Sequence, residues 1–177
     1  MKKMMHKKSI YHCKYMSPLG PMVMAGEGEA LTGLWFDGQK YFDETCFGEG
    51  REKQLQVFKE TSQWLDMYFS GRQPDFLPRI LLKGTAFRQA VWQVLLTIPY
   101  GETMTYGEIA ALLAAARGVP RISAQAVGGA VGHNPIAIIV PCHRVIGKGG
   151  KMTGYAGGIH RKEWLLDSEH GNRSECI

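Results

Sequence analysis

The sequence predicts an α+β fold. A small N-terminal α/β domain, a short antiparallel sheet with one helix, precedes a mainly helical C-terminal domain containing a helix-turn-helix. Three observations predict this. Residues 10–37 alternate short β-prone runs with turn residues. Residues 54–70 carry an apolar stripe at helical spacing. After Gly84, helical stretches follow one another between glycine and proline breaks. The chain has 177 residues, enough for one large domain or two small ones. The expected boundaries are a flexible tail at 1–8, the N-terminal domain at 9–82, the C-terminal domain at 83–170 and a second flexible tail at 171–177.

The first eight residues are basic but no apolar run follows them, so they read as a tail and not as a signal peptide. Ser17-Pro18-Leu19-Gly20-Pro21 is a turn. Pro21 to Ala25 and Leu31 to Phe36 are strand candidates joined by a hairpin-like Gly26-Glu27-Gly28-Glu29. From Gln54 to Ser70 a helix is expected, with Leu55, Phe58, Leu65 and Phe69 on its buried stripe, Trp64 and Tyr68 at the edges, and Gly71 as its left-handed stop. Arg72 to Lys83, with Pro74 and Pro78, is irregular.

In the second half, Thr85 can cap a helix whose stripe is Phe87, Ala90, Val91, Val94 and Leu95. Thr105-Tyr106-Gly107-Glu108 has the form of a capping box and opens a helix that ends near Gly118. A second short helix starts at Ser123 and stops at Gly132-His133-Asn134-Pro135. Helix, turn, short helix is the shape of a helix-turn-helix. The second helix is built from alanines and glycines, which allow another surface to approach closely. Tight core packing and a helix laid in a narrow nucleic-acid groove both fit that composition. Gly147 to Lys151 reads as a mobile basic loop, Thr153 to Gly158 as a glycine-rich stretch around Tyr155, and Arg161 to Glu169 as a helix burying Trp164, Leu165 and Leu166.

The chemistry concentrates in Ile138-Ile139-Val140-Pro141-Cys142-His143-Arg144-Val145. The β-branched run reads as a buried extended segment, stiffened by Pro141, that delivers a thiol beside an imidazole and a guanidinium. Those neighbours favour thiolate, the attacking form of cysteine. A structural core cysteine fits the octapeptide equally well. The other cysteines, Cys13, Cys46 and Cys176, form no CxxC pair. A disulfide framework is therefore not expected, and a reducing cytoplasmic setting is. His6, His12, Cys13 and Cys46 match no compact zinc spacing, so no metal site is expected. No apolar run approaches the ~18 residues of a membrane span.

Charge is unevenly spread. The net charge is +5, and from Ile109 to Lys162 there is no Asp or Glu, while Arg117, Arg121, Arg144, Lys148, Lys151, Arg161 and Lys162 all fall there. A half-domain of one sign fits an anionic partner, nucleic acid first, and also fits a surface kept basic for solubility.

Pro141-Cys142-His143-Arg144-Val145, together with Gly128-Gly129, Asn134-Pro135, Tyr155-Ala156-Gly157-Gly158 and Trp164-Leu165-Leu166, resembles the methylated-DNA–protein-cysteine S-methyltransferases, the O6-alkylguanine-DNA alkyltransferase family. The likeness runs from about Gly84 to Glu169. It extends more loosely to Ser17-Pro18-Leu19-Gly20 and Leu31 to Phe36. It implies a ribonuclease-H-like N-terminal domain and a winged-helix-like C-terminal one. It also implies repair of DNA by direct reversal, with a methyl or alkyl group moving once and irreversibly from O6-alkylguanine or O4-alkylthymine to Cys142.

By that resemblance His143 relays the thiol proton through water and Glu169 holds the imidazole. Asn134 stabilises the turn into the active-site segment, Tyr106 protonates the leaving base, and Arg144 is structural. Tyr155, Ala156, Gly157 and Val140 line the base pocket. Gln125, Ala124, Ala126, Gly128, Gly129 and Arg121 form the DNA-binding surface, entered from the minor groove with base flipping. The implied partner is double-stranded DNA with alkylated bases, met by a monomer with no membrane and no external cofactor.

Two positions depart from the family pattern. Gln125 stands where many members carry an intercalating arginine, and Ala156 where some carry a serine. The first bears on base flipping and the second on the choice between guanine and thymine lesions. Three rival readings are weaker. A non-repairing lesion binder lacks the acceptor cysteine, a cysteine hydrolase draws its Cys and His from distant parts of the chain, and a sequence-reading regulator needs long polar side chains on its recognition helix.

Overall fold

The computed structural model of the chain describes residues 9–42 and 53–171. The tails expected at 1–8 and 171–177 lie outside them, apart from Gly171, as do His6, Cys46 and Cys176.

The N-terminal half opens with a three-stranded antiparallel meander: β1 (Ile10–Ser17), β2 (Gly20–Glu27) and β3 (Ala30–Phe36), in the order β1-β2-β3. Two-residue connections join the strands, and Gly20 and Gly28 take the positive φ that such tight turns require. A register shift opposite Ala25/Gly26 leaves Thr32 of β3 as the extra residue of a bulge. Helix α1 (Gln56–Phe69) covers the sheet and ends at Ser70, with Gly71 left-handed behind it. Its buried stripe is wider than the sequence stripe. Trp64 and Tyr68, expected at the edges, are buried, whereas Leu55 precedes the helix and is only half-buried.

In the C-terminal half α2 (Ala86–Leu95) starts at Thr85, whose side chain accepts the Arg88 N–H. A two-residue strand β4 (Met104–Thr105) leads into α3 (Tyr106–Arg117). Both arms of the Thr105/Glu108 capping box are formed, and Gly118 closes the helix in the left-handed region. Then come α4 (Ala124–Gly132), capped by the Ser123 side chain, β5 (Val145–Ile146), parallel to β4, and α5 (Ile159–Glu169). The stripe read for α2 misses its anchor. Trp92 is buried, and its indole N–H donates to the Ala130 carbonyl at 2.9 Å, pinning α2 to α4. Trp164, expected in the core, is half-buried. Residues 148–150, within the expected basic loop, turn tightly with Gly149 and Gly150 in the left-handed region.

One hydrophobic core runs through both halves, from Met22 and Leu34 to Val127 and Leu165. The free edge of β3 is where the halves meet. Leu31 exchanges backbone hydrogen bonds with Arg79 and Leu81, and Leu34 with Pro135 and Ala137, at 2.8–2.9 Å. An otherwise open sheet edge is thereby satisfied by the segment that leads to Cys142.

That segment corrects the sequence reading. Residues 138–140 are not a strand. Ile136 makes a single bridge to Leu34, and the chain then turns, with Ile138 at φ +69°. Ile138, Ile139 and Val140 are buried, so the apolar run supplies core on all sides without needing an extended backbone. A β-branched residue in the left-handed region is strained by roughly 1–3 kcal/mol. The surrounding core holds it there.

Candidate active site

Cys142 opens a 3-10 turn, Cys142–Arg144, directly after Pro141. The turn is fixed from behind by Asn134. The Asn134 side-chain amide donates to the Val140 carbonyl at 2.7 Å and lies 3.1 Å from the Cys142 sulfur, while its oxygen accepts the Ile136 N–H at 3.0 Å. One buried side chain thus closes the loop between α4 and the cysteine.

His143 is fully buried. Its Nε2 is 2.7 Å from Glu169 Oε1, which assigns that nitrogen as the donor and leaves Nδ1 as the unprotonated face. Nδ1 makes no hydrogen bond to protein. Glu169 gathers five bonds from four residues. Oε1 accepts from His143, from the Tyr68 hydroxyl at 2.7 Å and from Arg144 at 3.0 Å. Oε2 accepts from Arg144 Nε at 2.9 Å and the Gly101 N–H at 3.1 Å. Arg144 completes its fork on the Ile98 carbonyl at 2.7 Å.

The charge states follow from these contacts. Burial alone would raise the Glu169 carboxyl, but the hydrogen bond and charge of His143 and the Arg144 guanidinium outweigh it. The carboxyl is held well below the usual carboxylate range. Burial lowers His143 against the pull of Glu169, with Arg144 and Lys162 adding to the lowering, so the imidazole is neutral. For Cys142 the sequence expectation is reversed. Burial pushes the thiol up, against the Asn134 hydrogen bond and the Lys162 charge, so the resting group is a thiol and not a thiolate. The adjacent Arg144 guanidinium is committed to Glu169.

Lys162, named in the sequence only as one of the basic residues, is a charged neighbour of Cys142. It is fully buried, and its ammonium donates to the Val145 carbonyl at 2.5 Å and the Thr153 carbonyl at 2.8 Å. Burial brings it down to about 8, with Cys142 pulling the other way. Tyr68 is the other omission, and it comes from α1 of the N-terminal half. An aromatic on a helical stripe gives no sequence signal of a polar contact 101 residues away.

Cys142 faces a cavity of about 550 Å³. Tyr106, Tyr155, Ala156, Gln125, Ala124, Gly128 and Gly129 all line it, with Lys40 and Tyr41 from the N-terminal half. Burial raises the phenols of Tyr106 and Tyr155, so both are neutral donors. Gly157 borders a narrow extension beside Asn134 and Cys142. A Cβ at Gly157 would meet the Tyr155 ring at 2.7 Å and the Phe36 ring at 3.0 Å, so only glycine permits this approach. Val140 is buried outside the cavity and reaches the site only through its carbonyl. Arg121 lies on an adjoining groove between α3 and α4, and Ala126 is exposed on α4.

Comparison with known proteins agrees with this architecture. Residues 86–171 match the family model described as the 6-O-methylguanine DNA methyltransferase DNA binding domain, and residues 10–78 match its ribonuclease-like domain. A methylated-DNA–protein-cysteine methyltransferase of Mycobacterium leprae is 48% identical over 159 residues, spanning 89% of this chain and 92% of that one. Another, of Methanosarcina acetivorans, is 44% identical over 161 residues, 90% and 98% of the two chains. Among solved structures, a Mycobacterium tuberculosis OGT in complex with DNA superposes with a TM-score of 0.79 at 45% identity, covering 93% of this chain and 96% of that one. With this identity over nearly its whole length, the chain belongs to the methylated-DNA–protein-cysteine methyltransferase family.

Proposed function

We propose that the chain repairs alkylated DNA by moving the alkyl group from O6 of guanine, or O4 of thymine, to the sulfur of Cys142. The observation that carries this reading is the Cys142 thiol. It is held by Asn134, opens into a cavity of about 550 Å³ with ample room for a base, and stands next to a neutral imidazole whose far side is fixed by Glu169.

The lesion must leave the duplex to reach the sulfur, at a cost of a few kcal/mol. The small-residue helix α4 enters the minor groove, and Gln125 fills the space of the everted nucleotide. His143 Nδ1 takes the thiol proton through one water, and Glu169 offsets the charge that develops on the ring. The sulfur then attacks the alkyl carbon. An S–C bond forms as the C–O bond breaks, and the electron pair passes into the base. Tyr106 donates a proton to the leaving base and recovers one from solvent. The thioether product is stable, so each molecule acts once and needs no cofactor. We place this monomeric activity in the cytoplasm, where free thiols persist.

The test is stoichiometric transfer. Incubation with methylated duplex should add a single methyl to Cys142, located by mass spectrometry, with a plateau at one equivalent. Transfer undiminished in Cys142→Ser, or repeated turnover, would overturn the reading.

A further inference from the structure

The cavity that holds Cys142 is nearly devoid of charge. Among its described lining residues Lys40 is the only charged side chain, and it comes from the N-terminal half. Gln125, on the recognition helix, brings none. Yet an everted nucleotide carries a phosphate on either side into the mouth of this cavity.

Lys40 is held in place. After β3, Gly38 turns the chain at φ +71°, and the Gln39 side chain accepts the Phe36 N–H at 2.9 Å. The Lys40 N–H then donates to the carbonyl of Ala156, a residue of the opposite wall, at 3.1 Å. Tyr41 follows at φ +62°, in the left-handed region that non-glycine residues rarely enter. Its ring stacks on His133 at the end of α4, with centroids 4.0 Å apart and planes 25° apart. The Lys40 ammonium lies 4.9 Å from the Tyr41 ring centroid. A strained backbone, a ring stack and a cation–π contact together place one exposed cation on the rim of the cavity.

We propose that Lys40, presented by Tyr41, binds a phosphate flanking the everted nucleotide. The N-terminal half thereby supplies the cationic contact that the recognition helix lacks at Gln125. The inference rests on the alkyl-transfer reading above and adds a DNA-contact site to it.

The test is the salt dependence of binding to a duplex carrying one O6-methylguanine, measured on the full chain, alongside methyl transfer by the unaltered protein. Each phosphate contact contributes about 0.9 to the slope of log K against log salt concentration. Lys40→Ala should make the slope shallower by about 0.9 and weaken binding at low salt, and Lys40→Arg should restore both. Lys59→Ala, which removes a charge from α1 outside the cavity, should leave the slope unchanged. An unaltered slope in Lys40→Ala, with normal transfer by the unaltered protein, overturns the Lys40 assignment alone. So does an equal loss of slope in Lys59→Ala. Failure of the unaltered protein to methylate Cys142 overturns the alkyl-transfer reading, and this inference with it.

Discussion

The Tyr68 hydroxyl, on α1 of the N-terminal half, donates at 2.7 Å to the same oxygen of Glu169 that receives His143 Nε2. The two halves of the chain therefore meet at the histidine's partner as well as through packing. The same hydroxyl oxygen lies 3.3 Å from His143 Nε2. It acts by fixing the carboxylate that fixes the imidazole.

Tyr68→Phe should slow single-turnover methyl transfer about tenfold, the scale of one hydrogen bond to a charged group, with duplex affinity unchanged. Because the ring packing is kept, the loss should appear in the rate and in its pH profile. An unchanged rate would show that Arg144 and Gly101 suffice to hold Glu169.

The pH profile itself is set by His143. Its pKa is lowered by burial, so the imidazole stays an acceptor below its ordinary value of about 6.5. Single-turnover rates should hold steady from pH 8 to pH 6.5 and fall only in more acidic solution. A midpoint above about 6.5 would contradict a neutral buried imidazole.

Glu169 links the site to stability. Its folded-state pKa is depressed, so its contribution is fully present above the unfolded value of about 4.3 and is lost as pH falls through the folded one. Urea unfolding of the native chain and of Glu169→Gln should differ most near neutral pH, and the gap should narrow below about pH 4. A gap that widens on acidification would reverse the assigned sign.

Asn134→Ala should be destabilising as well as slow. It removes two hydrogen bonds to buried backbone groups and takes from the Ile136 N–H its acceptor, while the Val140 carbonyl keeps the Cys142 N–H, a loss of roughly 2–4 kcal/mol. Thermal unfolding with and without DNA would measure it. Full stability with lost activity would assign Asn134 to the sulfur contact alone.

Gln125→Arg should change the ratio of repair rates on duplex and single-stranded substrates, since only the duplex needs the everted base replaced. An unchanged ratio would remove Gln125 from the flipping step.

Much of this was legible in the sequence because it is locally encoded. Thr105 and Glu108 spell out their capping box, Gly71 and Gly118 mark helix ends, and Ser123 starts α4. The neighbourhood of Cys142 was legible in identity but not in shape. Buried β-branched residues look the same in a strand and in a packed turn, so Ile138 gave no sign of its positive φ. The charge state was misread for a related reason. Sequence adjacency puts Arg144 beside the thiol, whereas folding turns its guanidinium onto Glu169. Contacts made across the chain, such as Tyr68 with Glu169 or Lys40 with Ala156, leave no local pattern at all.

The buried Lys162 has a practical consequence. A primary amine enclosed by the Val145 and Thr153 carbonyls is shielded from acylating reagents while that lattice stays shut. Labelling of Lys162 therefore times the opening of the Tyr155 loop, whereas exposed lysines such as Lys148 react at once. A single side chain becomes a clock for how often the Val145 and Thr153 carbonyls part from it, readable by peptide mass in the unmodified protein.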